Sequence, residues 1–266
     1  MGKYVHGYSK TESKRLTDQA NTLERIIHSD TLFKKGSVIL EAGCGTGAQT
    51  IIMAKKNPDC QFISVDISKE SIAEAKKRIK SANIKNVIFK NADITDLNFK
   101  DNYFDYAAVC FVLEHLSNVD LFLRKLKKII KNRGKIMVIE GDHGSTYFYP
   151  DSKFAAKTIN CQIELQKQSG GNANIGRELF FILNRNYFQN VDVSPRMVYV
   201  DPDKPDLING FTKNTFIAMI EGVKENAIKQ KIITEKGWEK GIADLYKTAG
   251  GVFCYTFFKA WADNIN

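Results

Sequence analysis

The chain has 266 residues, 43% hydrophobic and 26% charged, a composition that buries a sizeable core without disulfide or metal staples. Its 39 lysines and arginines against 30 acids leave a formal charge of +9. The lysines fall on helix faces, as in "KESIAEAKKRIK" and "RKLKKIIKNRG", rather than in a basic tract, which argues against a nucleic-acid partner. No apolar run of about 18 residues predicts a membrane span, and "MGKYVHGYSKTESKRL" lacks the apolar core of a secretory signal. His6, where a myristoylation signal needs Ser or Thr, removes that pattern from Gly2. Five scattered cysteines (Cys44, Cys60, Cys110, Cys161, Cys254) without CxxC spacing read as reduced thiols of a cytoplasmic protein.

Along the chain, "YSKTESKRLTDQANTLERIIHSD" predicts a helix, with Ser9 and Glu12 spaced as a capping box and Leu16, Leu23, Ile26 and Ile27 on one face. The aromatic arm "YVHGYS" precedes it. From Val38 to Glu140 strands and helices alternate, the signature of a parallel α/β sheet. "SVILEAG" is a buried strand, and "GAQTIIMAKKN" a helix ended before Pro58. "QFISVDIS" is the second strand, and "KESIAEAKKRIKSAN" an amphipathic helix with Ser68 as N-cap. "NVIFKNADI" is the third strand and "FDYAAVCFVLEHL" the fourth, nearly apolar, as a strand buried on both faces reads. The helix "VDLFLRKLKKIIKNR" is expected to stop at Gly134 by a glycine C-cap, before the fifth strand "KIMVIEGD". Beyond it lie an insertion over 142–175, helical in its middle, then a helix in "RELFFILNRNYF" and a strand in "VDVSPRMVYVD". A second helical insertion over 205–250 leads to the terminal strand "VFCYTFFKAWA". The expected organisation is one domain over 1–266, with arm and helix in 1–35, a ligand-binding core in 36–141, and the two insertions as a cap.

The stretch "VILEAGCGTGAQT" sets three glycines on alternate positions between a strand and a helix, Gly43, Gly45 and Gly47. Such a loop lets the backbone turn tightly and approach a ligand at the helix amino terminus. Asp66, at the end of the second strand, is placed to accept ribose hydroxyls, which suits a dinucleotide or any other adenosine ligand. Glu41, just before the loop, separates the cases. A carboxylate beside a pyrophosphate is repelled, whereas S-adenosylmethionine has no phosphate and carries a sulfonium and an ammonium. The acid therefore points to a cationic cofactor. Cys44, inside the loop, reads as a small residue that fits the turn.

These residues resemble motif I (E/D-x-G-x-G-x-G) of class I S-adenosylmethionine-dependent methyltransferases. "FISVDIS" is similar to that family's second-strand acid, and "NADITDLNFKDNYFDYAAVCFVLEHL" to its third-strand acid and the entry to strand four. "YVHGYS" and "EGDHGSTYFYP" resemble the family's small-molecule enzymes of the ubiquinone- and menaquinone-biosynthesis kind. The resemblance implies a seven-stranded, mostly parallel Rossmann-like sheet with an antiparallel last strand, helices on both faces and a helical cap. It implies that Glu41, Gly43 and Gly45 line the methionine moiety, with Gly47 shaping the turn. Asp66 then holds the ribose with Ile67 against the adenine, Asp93 accepts the adenine amino group between Ala92 and Ile94, and Phe111 borders the sulfonium.

A sulfonium methyl is already electrophilic, so alignment and exclusion of water carry much of the catalysis. A protein base is needed only where the nucleophile loses a proton. His115 and His143, after strands four and five, are candidate general bases or structural hydrogen-bonding residues. Reading Glu114, His115, Asp142 and His143 as a metal cluster is disfavoured, because some relatives place an acid where this chain has Phe111. Tyr147, Phe148 and Tyr149, with Tyr4 and Tyr8 of the arm, either wall a substrate pocket or pack on the sheet, and Arg177 binds an acidic substrate or a carboxylate of the chain itself. The expected activity is methyl transfer from S-adenosylmethionine to an O, N or C atom of a small molecule. The alternatives are an RNA or protein methyltransferase, favoured by the charge but lacking an N/D-P-P-Y/F motif, and a cofactor-binding regulator without turnover. A nicotinamide dehydrogenase is disfavoured by Glu41.

Overall fold

The structure is a computed structural model that describes residues 10–265, with side chains from residue 13. The arm "YVHGYS" with Tyr4 and Tyr8, and the capping box of Ser9 and Glu12, lie outside that description. In chain order the elements are α1 (Lys10–Ile27), β1 (Val38–Ala42), α2 (Ala48–Lys56), β2 (Gln61–Asp66), α3 (Lys69–Ser81), β3 (Val87–Asn91), β4 (Phe104–Cys110), α4 (Val119–Ile129), β5 (Ile130–Tyr149), α5 (Lys153–Gln168), α6 (Leu179–Arg185) and β6 (Gln189–Val200). There follow α7 (Pro205–Leu207), a π-helix (Ile208–Ile217), α8 (Ala218–Glu221), α9 (Lys224–Lys229), α10 (Glu235–Lys247) and β7 (Val252–Asn264).

The seven strands run in the order β3-β2-β1-β4-β5-β7-β6. The first five pair in parallel, and β7 is antiparallel to both β5 and β6. The strand order reverses between β1 and β4, and ligands of open α/β sheets bind beyond the carboxyl ends at that reversal. One apolar layer, with Phe62, Met53, Phe211 and Trp238, covers one side of the sheet, and another, with Phe104, Phe122, Leu126 and Phe188, covers the other. The expected Rossmann-like sheet with a helical cap is the fold observed. Among the described residues no helix is long and apolar enough to cross a membrane.

Local chemistry sets the element ends. The Ser68 hydroxyl accepts the Ser71 N–H at 3.1 Å, the expected cap of α3. Asp105, of the "FD" pair that opens β4, accepts the Val38 N–H at 2.9 Å and so ties the start of β4 to that of β1. Lys259 on β7 is fully buried, and its ammonium donates to the Ile27 carbonyl, Asp30 and Thr31 at 3.2, 2.7 and 2.7 Å. That bonding fastens the carboxyl end of α1 to the sheet.

Three boundaries differ from expectation. The helix α4 ends at Ile129, not at Gly134, because Ile130 turns extended, is fully buried and pairs with Phe104 of β4. A β-carbon on Gly134 would lie 2.8 Å from the Asp105 carbonyl oxygen, so that glycine serves close strand packing rather than a helix cap. The fourth strand stops at Cys110, because Phe111 adopts φ 59° and Leu113–His115 form a single 3-10 turn. Finally, β5 continues past Asp142 to Tyr149, with Tyr147, Phe148 and Tyr149 paired to Cys254, Phe253 and Val252 of β7 after an irregularity in register. These aromatics are therefore sheet residues, and the first cap helix begins only at Lys153.

Candidate functional site

A cavity of about 380 Å³ opens at the carboxyl ends of β1, β4 and β5, roofed by α1 and by the π-helix with α8. The loop after β1 forms one wall. Gly43, Gly45 and Gly47 all take positive φ (79°, 52° and 81°), a region that side chains resist. A β-carbon on Gly43 would collide with Val112 at 2.5 Å, whereas nothing lies within 4 Å of the corresponding position on Gly45. The backbone at Gly45 thus leaves open space for a ligand, and Gly47 is the N-cap of α2. Cys44 is buried, and burial pushes its thiol well above the usual range, which suits a turn-filling residue rather than a nucleophile.

Asp66 lines the cavity and holds this loop in place. One carboxylate oxygen accepts the Gly45 N–H at 2.8 Å and the other accepts the Ser68 N–H at 2.9 Å. A carboxylate oxygen accepts more than one hydrogen bond, so both retain capacity for a pair of ligand hydroxyls. Ile67, 41% exposed, and Ile94, buried, are the apolar surfaces beside it in the cavity.

Glu41 is placed differently from expectation. It is buried beneath the loop, does not line the cavity, and its Oε2 accepts hydrogen bonds from Ser64 Oγ (2.6 Å) and Thr50 Oγ1 (2.8 Å). Burial raises its pKa to about 7, although the two hydroxyls oppose the rise. Glu41 is an internal brace between β1, β2 and α2. Asp93 and Ala92 also lie outside the cavity lining. Asp93 Oδ1 accepts both the N–H and the hydroxyl of Thr95 at 2.7 Å, capping the short 3-10 turn that carries Ile94.

After β4 the backbone is held by Glu140, which sequence reasoning missed. Its Oε1 accepts the N–H groups of Val112 (2.9 Å) and Leu113 (2.7 Å), and the Phe111 N–H donates to Ile139 (2.8 Å). These bonds fix Phe111 in a left-handed conformation that a bulky residue adopts at a cost of roughly 1–3 kcal/mol, with its ring on the cavity and edge-on to Phe257 at 5.7 Å. Glu140 is fully buried, with Oε2 unpartnered. Burial, reinforced by the nearby Glu114 charge, raises its pKa well above the usual value, although the backbone N–H groups it accepts oppose the rise.

Glu114 and His115, on the 3-10 turn, both line the cavity. Glu114 accepts Gln166 Nε2 at 3.0 Å from α5, and His115 Nε2 lies 3.6 Å from Glu114 Oε1. His143, after the core of β5, is buried against the cavity, with Nδ1 2.6 Å from the Tyr255 hydroxyl of β7. Burial lowers the His143 pKa, so the imidazole is neutral at pH 7. Arg177 is engaged within the chain, with two parallel bonds of 2.7 and 2.6 Å to buried Asp142. Tyr147 and Tyr149 are exposed on the outer part of β5 and do not line the cavity. Among the described residues no group of three His, Cys, Asp or Glu converges as a metal site.

The roof brings residues that sequence reasoning passed over. Ser13, Arg15, Leu16 and Gln19 of α1 line the cavity, as do Phe211, Thr215, Phe216 and Met219 of the second insertion. The face of α1 that carries Leu16 was legible only as generic amphipathicity, and the pairing of Tyr255 with His143 spans residues 112 apart.

Over 124 residues the chain is 27% identical to a demethylmenaquinone methyltransferase of Staphylococcus aureus (strain JH9), covering 46% of this chain and 51% of the relative. The chain thus spans about half the length of the curated relatives it matches. In fold it is similar to the [4+2]-cyclase SpnF, with TM-score 0.55 and 20% identity over 95% of this chain and 81% of that one. It is also similar to phosphoethanolamine N-methyltransferase 2 of Haemonchus contortus, solved with phosphomonomethylethanolamine and S-adenosylhomocysteine, with TM-score 0.57 and 16% identity over 94% of this chain and 53% of that one. A family model described as a methyltransferase domain matches residues 33–175, more than half of the chain, and the chain belongs to that family as a class I S-adenosylmethionine-dependent methyltransferase domain.

Proposed function

We propose that this protein transfers a methyl group from S-adenosylmethionine to an O, N or C nucleophile of a small molecule. The observation that carries the reading is the Asp66 carboxylate, which braces Gly45 and Ser68 yet faces the cavity with capacity to accept two hydroxyls. The residues present fit the cofactor. The open backbone at Gly45 admits close approach, Ile67 and Ile94 offer apolar surface for a purine, and the lining sets the acids Asp66, Glu70, Glu114 and the Arg78-paired Glu74 against one basic side chain, Arg15, a balance that suits a cation. When bound, S-adenosylmethionine supplies a methyl group already activated on a sulfonium.

The chain's own residues then bind, orient and exclude water. Asp66 holds the ribose, Gly43 and Gly45 border the amino-acid end, and Phe111 presents its ring at the end of β4. His143, neutral and hydrogen-bonded to Tyr255, is placed to take a proton from an acceptor that has one to lose. His115, beside Glu114, is the second candidate for that role. Likeness to the demethylmenaquinone methyltransferase supports a small-molecule acceptor over a macromolecule.

The test is turnover. Protein incubated with labelled S-adenosylmethionine and fractionated small metabolites is expected to release S-adenosylhomocysteine in some fractions, and Asp66→Ala to release none. Cofactor binding without turnover in any fraction would instead identify a regulator, and turnover only with RNA or protein would move the acceptor to a macromolecule.

A further inference from the structure

Two glutamines line the cavity from helices packed on each other, Gln19 on α1 and Gln49 on α2, and the chain fixes the amide orientation of both. An amide has an oxygen that accepts and a nitrogen that donates, so the end the protein occupies decides which end is left for a ligand. Gln19 is buried, and its Oε1 accepts from Arg15 Nη1 at 3.2 Å. A guanidinium only donates, so Gln19 turns its oxygen to Arg15 and keeps its N–H groups.

Gln49 is set by a longer chain of bonds that begins at a buried charge. The Lys259 ammonium, paired with Asp30, carries three N–H groups and no lone pair, and one of them goes to Thr31 Oγ1 at 2.7 Å. Thr31 is fully buried and donates its own proton to His28 Nδ1 at 3.0 Å. With Nδ1 accepting, the ring proton of the neutral imidazole sits on Nε2. Burial lowers the His28 pKa to about 4, against the Gln49 hydrogen bond and with the help of Lys259 and Lys56, so the ring is neutral at pH 7. Nε2 lies 2.7 Å from Gln49 Oε1 and donates to it. The donor direction therefore runs one way, from β7 through the end of α1 to α2, and leaves Gln49 its N–H groups. Among the described residues neither amide nitrogen has an acceptor in the chain.

This corner is the reverse of the rest of the lining. The acids Asp66, Glu70, Glu74 and Glu114 come from the end of β2, from α3 and from the turn after β4, whereas α1 and the first turn of α2 bring the donors Arg15, Gln19 and Gln49. The N-cap of α2 is Gly47, so the positive end of that helix dipole adds to the same corner. S-adenosylmethionine has a single anionic group, the carboxylate of its amino-acid end, and that end borders the adjoining glycine loop.

We propose that Gln19 and Gln49 hold the cofactor carboxylate, and that His28 is the positioning residue that keeps Gln49 turned to it as a donor. This assignment rests on the methyltransferase reading above and adds to it how the amino-acid end is recognised.

Calorimetry with three ligands tests it. S-adenosylhomocysteine carries the carboxylate, its decarboxylated analogue S-adenosyl-3-thiopropylamine keeps the amine alone, and 5′-methylthioadenosine lacks both. Gln19→Glu and Gln49→Glu accept the same N–H groups from Arg15 and His28 but turn a carboxylate oxygen to the cavity. Each is expected to weaken S-adenosylhomocysteine about tenfold, to leave methylthioadenosine within twofold, and to bind the decarboxylated amine as tightly as wild type or more so. His28→Leu is expected to weaken S-adenosylhomocysteine about fivefold. His28→Gln, whose amide N–H replaces the Nε2 donor, is expected to restore it to within twofold of wild type. Methylthioadenosine affinity reports that the variants fold. Nitrogen-15 NMR of histidine-labelled protein is expected to show the His28 ring protonated at Nε2, its signals identified by their loss in His28→Gln. Equal weakening of all three ligands overturns the carboxylate assignment, as does unchanged S-adenosylhomocysteine affinity in the glutamate variants. A ring protonated at Nδ1, or His28→Gln as weak as His28→Leu, overturns the positioning role. Failure of the wild type to bind any of the three would instead strike at the cofactor reading.

Discussion

Asp66 accepts the Gly45 amide hydrogen at 2.8 Å, so the acid that ends the second strand and the loop that follows the first are one unit. Removing the carboxylate takes away the ligand's hydroxyl acceptor and the brace on the loop together. Asp66→Asn keeps one acceptor oxygen and is expected to weaken cofactor binding about tenfold. Asp66→Ala is expected to weaken it about a hundredfold or more, following charge-assisted hydrogen bonds of roughly 1.5–3 kcal/mol each. Calorimetry on variants with unchanged circular dichroism checks both.

Glu41 makes pH a probe of the cofactor's charge. Its folded pKa, raised by burial to about 7, lies above the ordinary 4.5 of an unfolded carboxyl. The neutral form therefore contributes stability in full below pH 4.5, and that contribution is lost as pH rises through about 7. Glu41→Gln does not titrate, so its stability relative to wild type is expected to improve between pH 4.5 and 7 and then level off, as read by urea denaturation. A cation nearby favours the ionised carboxylate. The affinity ratio of S-adenosylmethionine over S-adenosylhomocysteine is accordingly expected to rise across pH 6–8 in wild type and stay flat in Glu41→Gln.

Glu140 positions the turn after β4 through Oε1 alone. Glu140→Gln preserves an acceptor oxygen of the same shape for both N–H groups and is expected to cost less than about 1 kcal/mol. Glu140→Ala leaves two buried N–H groups unpaired, at roughly 1–3 kcal/mol each. It is expected to lower the unfolding free energy by about 2–4 kcal/mol and, by freeing Phe111 from its left-handed conformation, to weaken the cofactor as well. Chemical denaturation and calorimetry on the pair distinguish a lost acceptor from a lost charge.

His143 lies behind a second pH dependence. Its pKa is lowered by burial from the ordinary 6.5, so the base form persists to lower pH than in a free imidazole. The acid limb of kcat/KM is therefore expected below pH 6.5. His143→Asn is expected to reduce kcat about 10²- to 10³-fold with little change in cofactor affinity. Tyr255→Phe removes the partner of Nδ1 and is expected to shift the acid limb as well as lower the rate.

The parallel half of the fold was legible because each feature is local. Buried strands read as apolar runs, Ser68 announces the start of α3 within three residues, and the glycine loop and Asp66 mark the crevice. What escaped depends on which strands become neighbours. Glu140 reads as a lone acid in an apolar strand until β4 and β5 pair and bring Val112 and Leu113 to it. Tyr255 and His143 meet only through the antiparallel register of β5 and β7, and that same register converts Tyr147 and Tyr149 from expected pocket residues into exposed sheet residues. Glu41 was assigned to the ligand from its position in the motif. Its direction was decided by Ser64 and Thr50, hydroxyls on the neighbouring strand and helix that draw the side chain inward.

The most direct test of the central claim is calorimetric titration of S-adenosylmethionine, S-adenosylhomocysteine and NAD into the wild-type protein and Asp66→Ala. Binding of both sulfur ligands to the wild type, its loss in Asp66→Ala, and no binding of NAD are the predicted results. A folded wild-type protein that binds neither sulfur ligand, or that binds NAD in their place, would contradict the account.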